Sequence, residues 1–257
     1  MMLITCGVAT YTGNTRHFFI KDGWFSDPWV ALGERTPTVT APPCDEDEEE
    51  EPPPTCQELG NCELYNCCSP VIVDTAGDGF RLTSAAEGVW FDLDGDGVRE
   101  NSAWTLPDSD DGWLAMDRNG NGRIDDGTEL FGDHTPAYQD QRRPTTANGF
   151  VALSFLENPV YGRSFADGIL NARDTPYGRL VVWIDSNHDG ESHPSELRPL
   201  SEIGLLEIET EYKESGKRDG HGNEYRQRAI GWWQHANAQR TPRYLYDVWL
   251  TVGRRAQ

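Results

Sequence analysis

The chain contains 257 residues and carries a formal net charge of −21, because 43 acidic residues outnumber 22 basic ones. Its length suffices for one large domain or two small ones with a hydrophobic core. So negative a chain repels phosphate groups, which excludes nucleic acids and anionic membrane surfaces as expected partners, whereas it attracts cations. Solubility is the simpler explanation of the same charge.

Two segments are predicted to precede the main domain. Residues 1–41 contain aromatic residues without a regular period, and we expect an N-terminal arm there. Residues 42–69 are predicted to be an acidic, Pro- and Cys-rich linker, because "PPCDEDEEEEPPPT" cannot bury apolar surface and repels itself. Weak cation binding by this acidic run is the alternative.

Five of the six cysteines are clustered, at Cys44, Cys56, Cys62, Cys67 and Cys68. Such clustering predicts disulfide bonds formed in an oxidising compartment, with a connectivity that the sequence leaves open. A zinc site is the alternative, but the spacing lacks the paired C-x-x-C motifs typical of such sites.

Residues 70–257 are predicted to form the main domain, with an α+β fold in which EF-hand-like loops join strands. Buried strands are expected in Val71–Val73, "GWLAMD" and "RLVVWID", and "GVWFDLDGDGVRENSAWTL" predicts two strands joined by a polar loop. Short helices are expected in "DGTELFG", "NGFVALSFLEN" and "HPSELRPLSEIG". A C-terminal antiparallel sheet is expected from "LLEIETEYKES", "EYRQRAIGWWQ" and "RYLYDVWLTV".

The polar loop "DSNHDGESHPSE" matches a calcium-binding loop at every position. Calcium takes six to eight oxygen ligands, which such a loop supplies from positions 1, 3, 5, 7, 9 and 12 around a glycine at position 6. Gly190 holds position 6, and His193 lies at position 9, where a water often intervenes. The predicted ligands are Asp185, Asn187, Asp189, the carbonyl of Glu191, and Glu196.

Two further loops fit the same template less completely. In the first, the predicted ligands are Asp117, Asn119, Asn121, the carbonyl of Arg123, Asp125 and Glu129. Glu129 lies at position 13 instead of 12, and we expect Gly127 to absorb the extra residue. In the second, the predicted ligands are Asp92, Asp94, Asp96, the carbonyl of Val98, and Glu100. Position 12 is Ala103 here, so the sequence predicts a calcium-binding β-hairpin.

A fourth segment, residues 163–174, is predicted to be a decayed loop that pairs with the Asp185 loop and binds no metal. It keeps Asp167, Gly168, Asn171 and Asp174 at template positions 5, 6, 9 and 12, but Arg163 and Phe165 occupy positions 1 and 3. Recurrence of the template within one domain indicates a calcium-dependent fold, since a single such motif also occurs as a plain turn.

The order of these motifs carries a family resemblance. From "SPVIVDTAGDGF" through "MDRNGNGRIDDGTELFGD" to "VVWIDSNHDGESHPSELRPLSEIGL", the chain resembles the calcium-binding self-processing module of RTX-type proteins from Gram-negative bacteria. It is at least as similar to a broad set of uncharacterised bacterial proteins with the same signatures. The resemblance covers about residues 70–252 and implies a bacterial protein with bound calcium (Ca2+).

The self-cleavage that this resemblance implies does not match the residues. In the self-processing module, an aspartate just before the domain attacks its own backbone carbonyl, and the Asp–Pro bond breaks. Here Ser69 precedes Pro70 and has no carboxylate, and the Asp27–Pro28 bond lies far upstream. We therefore expect the calcium loops without the autocatalysis.

Other catalytic motifs are absent from the sequence. It contains no HExxH, no GxSxG and no glycine-rich phosphate loop. Adjacent acids such as Asp110 and Asp111 could serve glycoside hydrolysis, but acids in so acidic a chain are expected to be solvated or metal-bound. The chain is therefore predicted not to be an enzyme.

The sequence predicts a calcium-binding structural or interaction module of a bacterial secreted or cell-surface protein, stabilised by calcium ions in three loops. A calcium-triggered self-processing module is the alternative. A third hypothesis is binding of an unidentified protein by aromatic residues of the C-terminal sheet, for which core packing is the alternative. These residues are Trp232, Trp233, Tyr244, Tyr246 and Trp249.

The expected location outside the cell follows from the calcium loops and the clustered cysteines. No run of 18 apolar residues is present, so no transmembrane helix is predicted. The start, "MMLITCGVAT", lacks the basic and long apolar regions of a readable signal peptide.

Overall fold

A computed structural model describes residues 68–137, 140–144, 148–157, 165–234 and 239–253, together with five short strands between residues 2 and 40. The chain divides into two compact units, Met1–Pro53 and Pro54–Gln257. The predicted acidic linker up to residue 67, with four of the five clustered cysteines, lies outside the described residues, so the linker and the disulfide bonds stay predictions.

The five described strands of the first unit form two small sheets. One sheet has the order β1-β3-β4 and the other pairs β2 with β5. Strands β1 and β3 are parallel, and β3 and β4 form an antiparallel pair. Their bounds are β1 Met2–Ile4, β2 Val8–Thr10, β3 His17–Ile20, β4 Gly23–Ser26 and β5 Thr38–Thr40.

Strands dominate the second unit. They are β6 Val71–Asp74, β7 Val89–Phe91, β8 Glu100–Ser102, β9 Asp111–Ala115, β10 Pro136–Ala137, β11 Asp140–Pro144, β12 Ile169–Asn171, β13 Val181–Trp183, β14 Leu197–Pro199, β15 Leu205–Glu209, β16 Lys213–Arg218, β17 Glu224–Gln234 and β18 Arg240–Trp249. The described residues contain one α-helix, α1 at Gly149–Leu156, which Asn148 caps by accepting the N–H of Val151. Short 3-10 helices lie at Ala85–Glu87, Gly127–Glu129 and Thr175–Arg179.

A nine-stranded sheet organises this unit. Its strand order is β12-β15-β17-β18-β6-β9-β13-β14, with β16 also paired to β17. All of its described pairs are antiparallel. Strands β7 and β8 form a separate hairpin, and β10 pairs with β11.

The predicted α+β class is wrong, because the domain is mostly β. Of the three predicted helices only "NGFVALSFLEN" forms an α-helix. "DGTELFG" contains one 3-10 turn before its chain rejoins the sheet through Phe131, which donates to the Leu114 carbonyl. In "HPSELRPLSEIG" the strand β14 forms, since Pro199 has no N–H for a helix interior while Leu197 pairs with Trp183.

Apolar residues cover both faces of the central sheet. Successive side chains of a strand point to opposite faces, so Val71 and Val73 belong to one core while Ile72 belongs to the other. Helix α1 packs on the first core through Phe150 and Leu153. The second core is aromatic, and its ring pairs have centroids 5.0–5.4 Å apart among Phe91, Trp104, Trp113 and Trp183. Two of these four residues, Phe91 and Trp183, lie just before predicted calcium loops, so the second core holds those loops in place.

Candidate metal-binding loops

The three predicted loops share one backbone arrangement. In each, the first aspartate accepts hydrogen bonds from backbone N–H groups four and five residues later. For Asp92 the closest donors are Gly95 at 2.7 Å and Gly97 at 2.8 Å. The residue at position 7 then donates its N–H to the side chain at position 5 in all three loops, at 2.7–2.8 Å.

Positive backbone angles at positions 4 and 6 produce this tight coil. The φ angles are +73° and +90° at Gly95 and Gly97, and +77° and +82° at Gly120 and Gly122. In the third loop Gly190 has φ +69°, while position 4 is His188 with φ +57°. A positive φ favours glycine, so His188 is the exception that needs support, and its ring nitrogen contacts the Glu87 carbonyl at 2.8 Å.

The Asp92 loop concentrates negative charge. One carboxylate oxygen from each of Asp92, Asp94 and Asp96 lies within 4.8 Å of the others. Glu100 lies behind them with 2% of its surface exposed and accepts the N–H of Leu93 at 3.1 Å. Burial, with the three aspartate charges adding, raises the pKa of Glu100 to about 7. A cation bound here would stabilise the charged form of Glu100, which burial and the aspartate charges disfavour.

Glu129 closes the Asp117 loop despite its extra residue. Its two carboxylate oxygens accept N–H groups from both ends of the loop, Arg118 at 2.8 Å and Asp125 at 2.9 Å. Burial raises its pKa. The amide nitrogens of Asn119 and Asn121 donate to Asp125 at 2.9 and 2.6 Å. A cation held by both amide oxygens and Asp125 would replace these contacts.

The Asp185 loop has the same closure from position 12. Asp185 is 1% exposed and Glu196 is 6% exposed. Glu196 accepts the N–H of His193 at 3.1 Å and the hydroxyl of Ser186 at 3.3 Å. His193 also lies 3.5 Å from Asp189. Burial, with the charges of Glu196 and Asp189 adding, raises the pKa of Asp185.

Direct contacts join the three loops. Ser192 accepts the N–H of Ile124 at 2.6 Å and donates to the Ile124 carbonyl at 3.1 Å, and each of these residues holds position 8 of its loop. Gly127 donates its N–H to the Asp92 carbonyl at 2.7 Å. Arg99 and Glu191 form an ion pair at 3.3 Å. Among the described residues, the Asp117 loop therefore supplies a partner that hydrogen-bonds to the Asp185 loop, where the sequence predicted residues 163–174.

Residues 165–174 are arranged differently from the three loops. Arg173 pairs with Asp167 at 2.7 Å, and Asp174 accepts the N–H groups of Phe165 and Asn171. The Arg173 guanidinium therefore neutralises the charge of Asp167, as a bound metal ion would in a calcium loop. Absence of metal from this segment stays a prediction.

The donor set of the three loops suits a hard divalent cation. All the side-chain groups are carboxylate or amide oxygens, which calcium and magnesium prefer, and the sets contain no thiolate. Calcium tolerates the irregular geometry of such loops, whereas magnesium demands near-octahedral ligands. The residues present therefore fit calcium better.

Sequence reasoning missed the residues that hold the loops together. Burial raises the pKa of Asp92, and the charge of Asp126 adds to that rise. Asp126 also caps the Gly127–Glu129 turn by accepting the N–H of Thr128 at 2.8 Å. Ser192 gave no signal, because serine at position 8 is ordinary in a polar loop. The available clue was that Ser192 and Ile124 occupy the same position, position 8, in their two loops.

The arrangement of loops on a β-sheet domain agrees with a known family. A comparison with protein-family models matches residues 71–251 to the SPM domain. The chain belongs to the SPM domain family. The match covers the whole nine-stranded sheet and all three loops of this SPM domain.

A curated relative supports a bacterial origin. The SPM chain is 38% identical over 161 residues to the iron-regulated protein FrpA of Neisseria meningitidis serogroup C. The aligned segment covers 62% of this chain but 14% of that relative, so the chain spans a small part of the relative's length.

The aromatic residues of the C-terminal sheet do not form one exposed surface. Trp233 is 2% exposed and Tyr246 is 8% exposed, so both belong to the cores. Tyr244 is 46% exposed and contacts the Arg228 guanidinium at 4.6 Å. Within the part of the chain that the structure describes, no helix has the length and apolar character needed to cross a membrane.

Proposed function

We propose that this SPM domain is a non-enzymatic module of a bacterial secreted or cell-surface protein whose native state is stabilised by calcium in the Asp92, Asp117 and Asp185 loops. One observation carries the proposal: three loops with the same backbone hydrogen bonds each bring buried and partly buried carboxylates together. Similarity to FrpA supports the bacterial setting.

Calcium is expected to stabilise the native state through its attraction to the buried carboxylates. Desolvation raises the pKa values of Asp92, Glu100, Glu129 and Asp185, which means that the metal-free native state disfavours their charged forms. A divalent cation reverses this preference. The unfolded chain does not assemble the loops, so calcium binds only the native state. When the free calcium concentration is 100 times the dissociation constant of a site, binding at that site stabilises the fold by about 2.7 kcal/mol.

The environment decides whether the sites are filled. Extracellular modules of this chemistry bind calcium with dissociation constants of roughly 10⁻⁴–10⁻³ M. Such sites fill in a calcium-rich medium and stay empty at submicromolar calcium. Folding of this domain is then coupled to export, since the stabilising ion is met outside the cell.

The aromatic core gives a direct test. Trp104, Trp113 and Trp183 are fully buried beside the loops, so their near-ultraviolet circular dichroism reports whether the loops and the core are ordered. The EDTA-treated protein should show a weak signal that calcium restores and equimolar magnesium restores poorly. A full signal in EDTA that calcium leaves unchanged would contradict the proposal.

Self-processing is tested on the same samples by a denaturing gel. Ser69 is 6% exposed, and its N–H and its hydroxyl donate to Asp133 Oδ1 at 2.9 and 3.5 Å, so the residue before Pro70 presents a hydroxyl to a buried carboxyl. We expect an intact chain after calcium addition. A shorter band would favour the self-processing alternative, and its N-terminal residue would identify the bond that breaks.

A further inference from the structure

A fourth group of carboxylates lies where β6 ends and β9 begins. Asp74 is the last residue of β6 and pairs in register with Asp111, the first residue of β9. One carboxylate oxygen from each of Asp74, Asp110 and Asp111 lies within 4.8 Å of the other two. None of these residues belongs to the three predicted loops.

The chain after Asp74 coils like the three loops. Gly77 and Gly79 donate their N–H groups to the two oxygens of Asp74, at 2.5 and 2.8 Å. Their φ angles are +85° and +106°, at the same positions 4 and 6 as the glycines of the Asp92 loop. The sequence does not show a complete template, because position 3 is Ala76 and offers no side-chain oxygen.

Asp110 lies where that missing oxygen would be. Its Oδ2 accepts the N–H of Ala76 at 2.6 Å and the hydroxyl of Thr75 at 3.2 Å. The side chain of the residue just before β9 therefore lies over position 3 of the Asp74 loop. This replacement comes from tertiary structure, so a scan of the local sequence cannot find it.

The buried carboxylate of Asp111 is an independent sign of a ligand. Asp111 is 0% exposed, and its Oδ2 accepts the hydroxyl of Ser109 and the N–H of Arg81, both at 2.9 Å. Its Oδ1 is also buried and has no hydrogen-bond partner among the described residues. A buried carboxylate oxygen without a partner is strongly disfavoured, so such an atom in a native fold calls for an ion or a water.

Three basic side chains approach the group, and none of them forms a described ion pair with Asp74 or Asp111. The Arg243 guanidinium donates to the carbonyls of Asp74 and Thr75, at 3.5 and 2.9 Å, instead of to the carboxylates. Arg81 approaches Asp110 only to 3.9 Å, and its side chain is 54% exposed, which makes the pair weak. The Lys217 ammonium lies over the ring of Tyr225, 4.2 Å from its centroid, and over the rings of Phe80 and Tyr246.

We propose that Asp74, Asp110 and Asp111 bind a divalent cation, calcium by the chemistry of the ligands, in a fourth site built across two strands. Three carboxylates without nitrogen or sulfur ligands suit a hard cation. The ion would join the end of β6 to the start of β9, two adjacent strands of the central sheet. This site is separate from the three loops, so it is a distinct claim from the proposed function.

Native mass spectrometry of protein dialysed against calcium tests the site by counting bound ions. Asp111→Asn should bind one calcium fewer per chain than the wild type. Asp247→Asn is the matched control, because Asp247 is also 0% exposed with a partnerless Oδ1 but lies outside the cluster. It should bind as many calcium ions as the wild type.

Each outcome has a definite reading. An equal count in the wild type and Asp111→Asn overturns the fourth site and leaves the proposed function standing. No calcium on the wild type overturns both proposals. If circular dichroism shows that Asp111→Asn does not fold, Asp110→Asn decides instead, because the Asp110 side chain is 28% exposed and its change is milder. Its loss of one calcium supports the site, and an unchanged count overturns it.

Discussion

Glu100, Glu129 and Glu196 lie buried at the ends of their loops, with 2%, 3% and 6% of their surfaces exposed. Each accepts at least one backbone N–H of its own loop, which fixes the carboxylate beside the other oxygen groups. A carboxylate fixed in this way loses little further freedom when a cation binds. These three residues are therefore expected to contribute more to calcium affinity than the exposed loop aspartates.

Glu196→Gln tests this expectation against a matched control in the same loop. The change removes the charge at position 12 and should weaken calcium binding to that site by about tenfold or more, equivalent to about 1.4 kcal/mol. Glu191→Gln removes a charge at position 7, where only the backbone carbonyl is a predicted ligand, and should change affinity less than threefold. Isothermal titration calorimetry measures both. Equal losses would show that net charge alone sets the affinity.

Asp247, which lies outside the predicted sites, should make the free energy of unfolding depend on pH. Burial raises the pKa of this 0% exposed carboxyl from 3.8 to about 6. Between these values the native state binds more protons than the unfolded state, so the contribution of Asp247 to stability falls as pH rises from about 4 to about 6. Two pKa units correspond to roughly 3 kcal/mol.

Asp247→Asn isolates this contribution, because asparagine can still accept the N–H of Gly149 that Asp247 accepts at 2.5 Å. The free energy of unfolding of the variant minus that of the wild type should rise between pH 4 and pH 8, by up to about 3 kcal/mol. Urea titrations at saturating calcium measure it. A difference that is the same at both pH values would contradict the assignment.

At the scale of elements, the hairpins and strands were predictable, whereas only one of the three predicted helices, Gly149–Leu156, forms an α-helix. The polar loop between Phe91 and Glu100 predicted the β7–β8 hairpin, and "RLVVWID" predicted β13, both confirmed. The segment after the Asp185 loop was predicted to be a helix because a proline lies near its start and Gly204 lies at its end. The partner strand β13 instead pairs it as β14. Local sequence cannot report that pairing, since it depends on distant residues.

The site was predictable where one segment supplies every group. The Asp92, Asp117 and Asp185 loops fold with the expected residues near one another, although their binding of calcium stays a prediction. Asp110 and Asp111 were expected only to be solvated or metal-bound, and their approach to Asp74 requires the register between β6 and β9. Contacts between distant segments are what the sequence alone could not show.

The contact between two loops should fail when Gly127 gains a side chain. A Cβ at this position would lie 1.8 Å from the Leu93 carbonyl oxygen, so the backbone must move, and the 2.7 Å hydrogen bond to Asp92 is lost. Gly127→Ala should lower the free energy of unfolding by about 2–3 kcal/mol. Gly178→Ala is the control, because a Cβ there meets nothing within 4 Å.

Thermal unfolding at saturating calcium compares the two variants with the wild type. The melting temperature should fall for Gly127→Ala and stay nearly unchanged for Gly178→Ala. Equal melting temperatures for all three proteins would mean that the contact between the Asp92 and Asp117 loops does not support the fold.

At the scale of the whole molecule, the negative charge and the proposed calcium binding are linked. The net charge of −21 opposes folding through self-repulsion, and a compact state is favoured when cations are bound among the carboxylates. The loops lie on the aromatic core and contact one another, so binding at one loop is expected to order its neighbours. The domain should therefore respond to calcium as a unit.

The most direct test is the melting temperature of the EDTA-treated protein, titrated with calcium and separately with magnesium. Three filled sites at about 2.7 kcal/mol each predict a rise of at least about 10 °C with calcium, for a domain of this size. Magnesium should give a much smaller rise, because the loops do not enforce octahedral geometry. A melting temperature that does not change with calcium would contradict the account and reduce the three loops to polar turns.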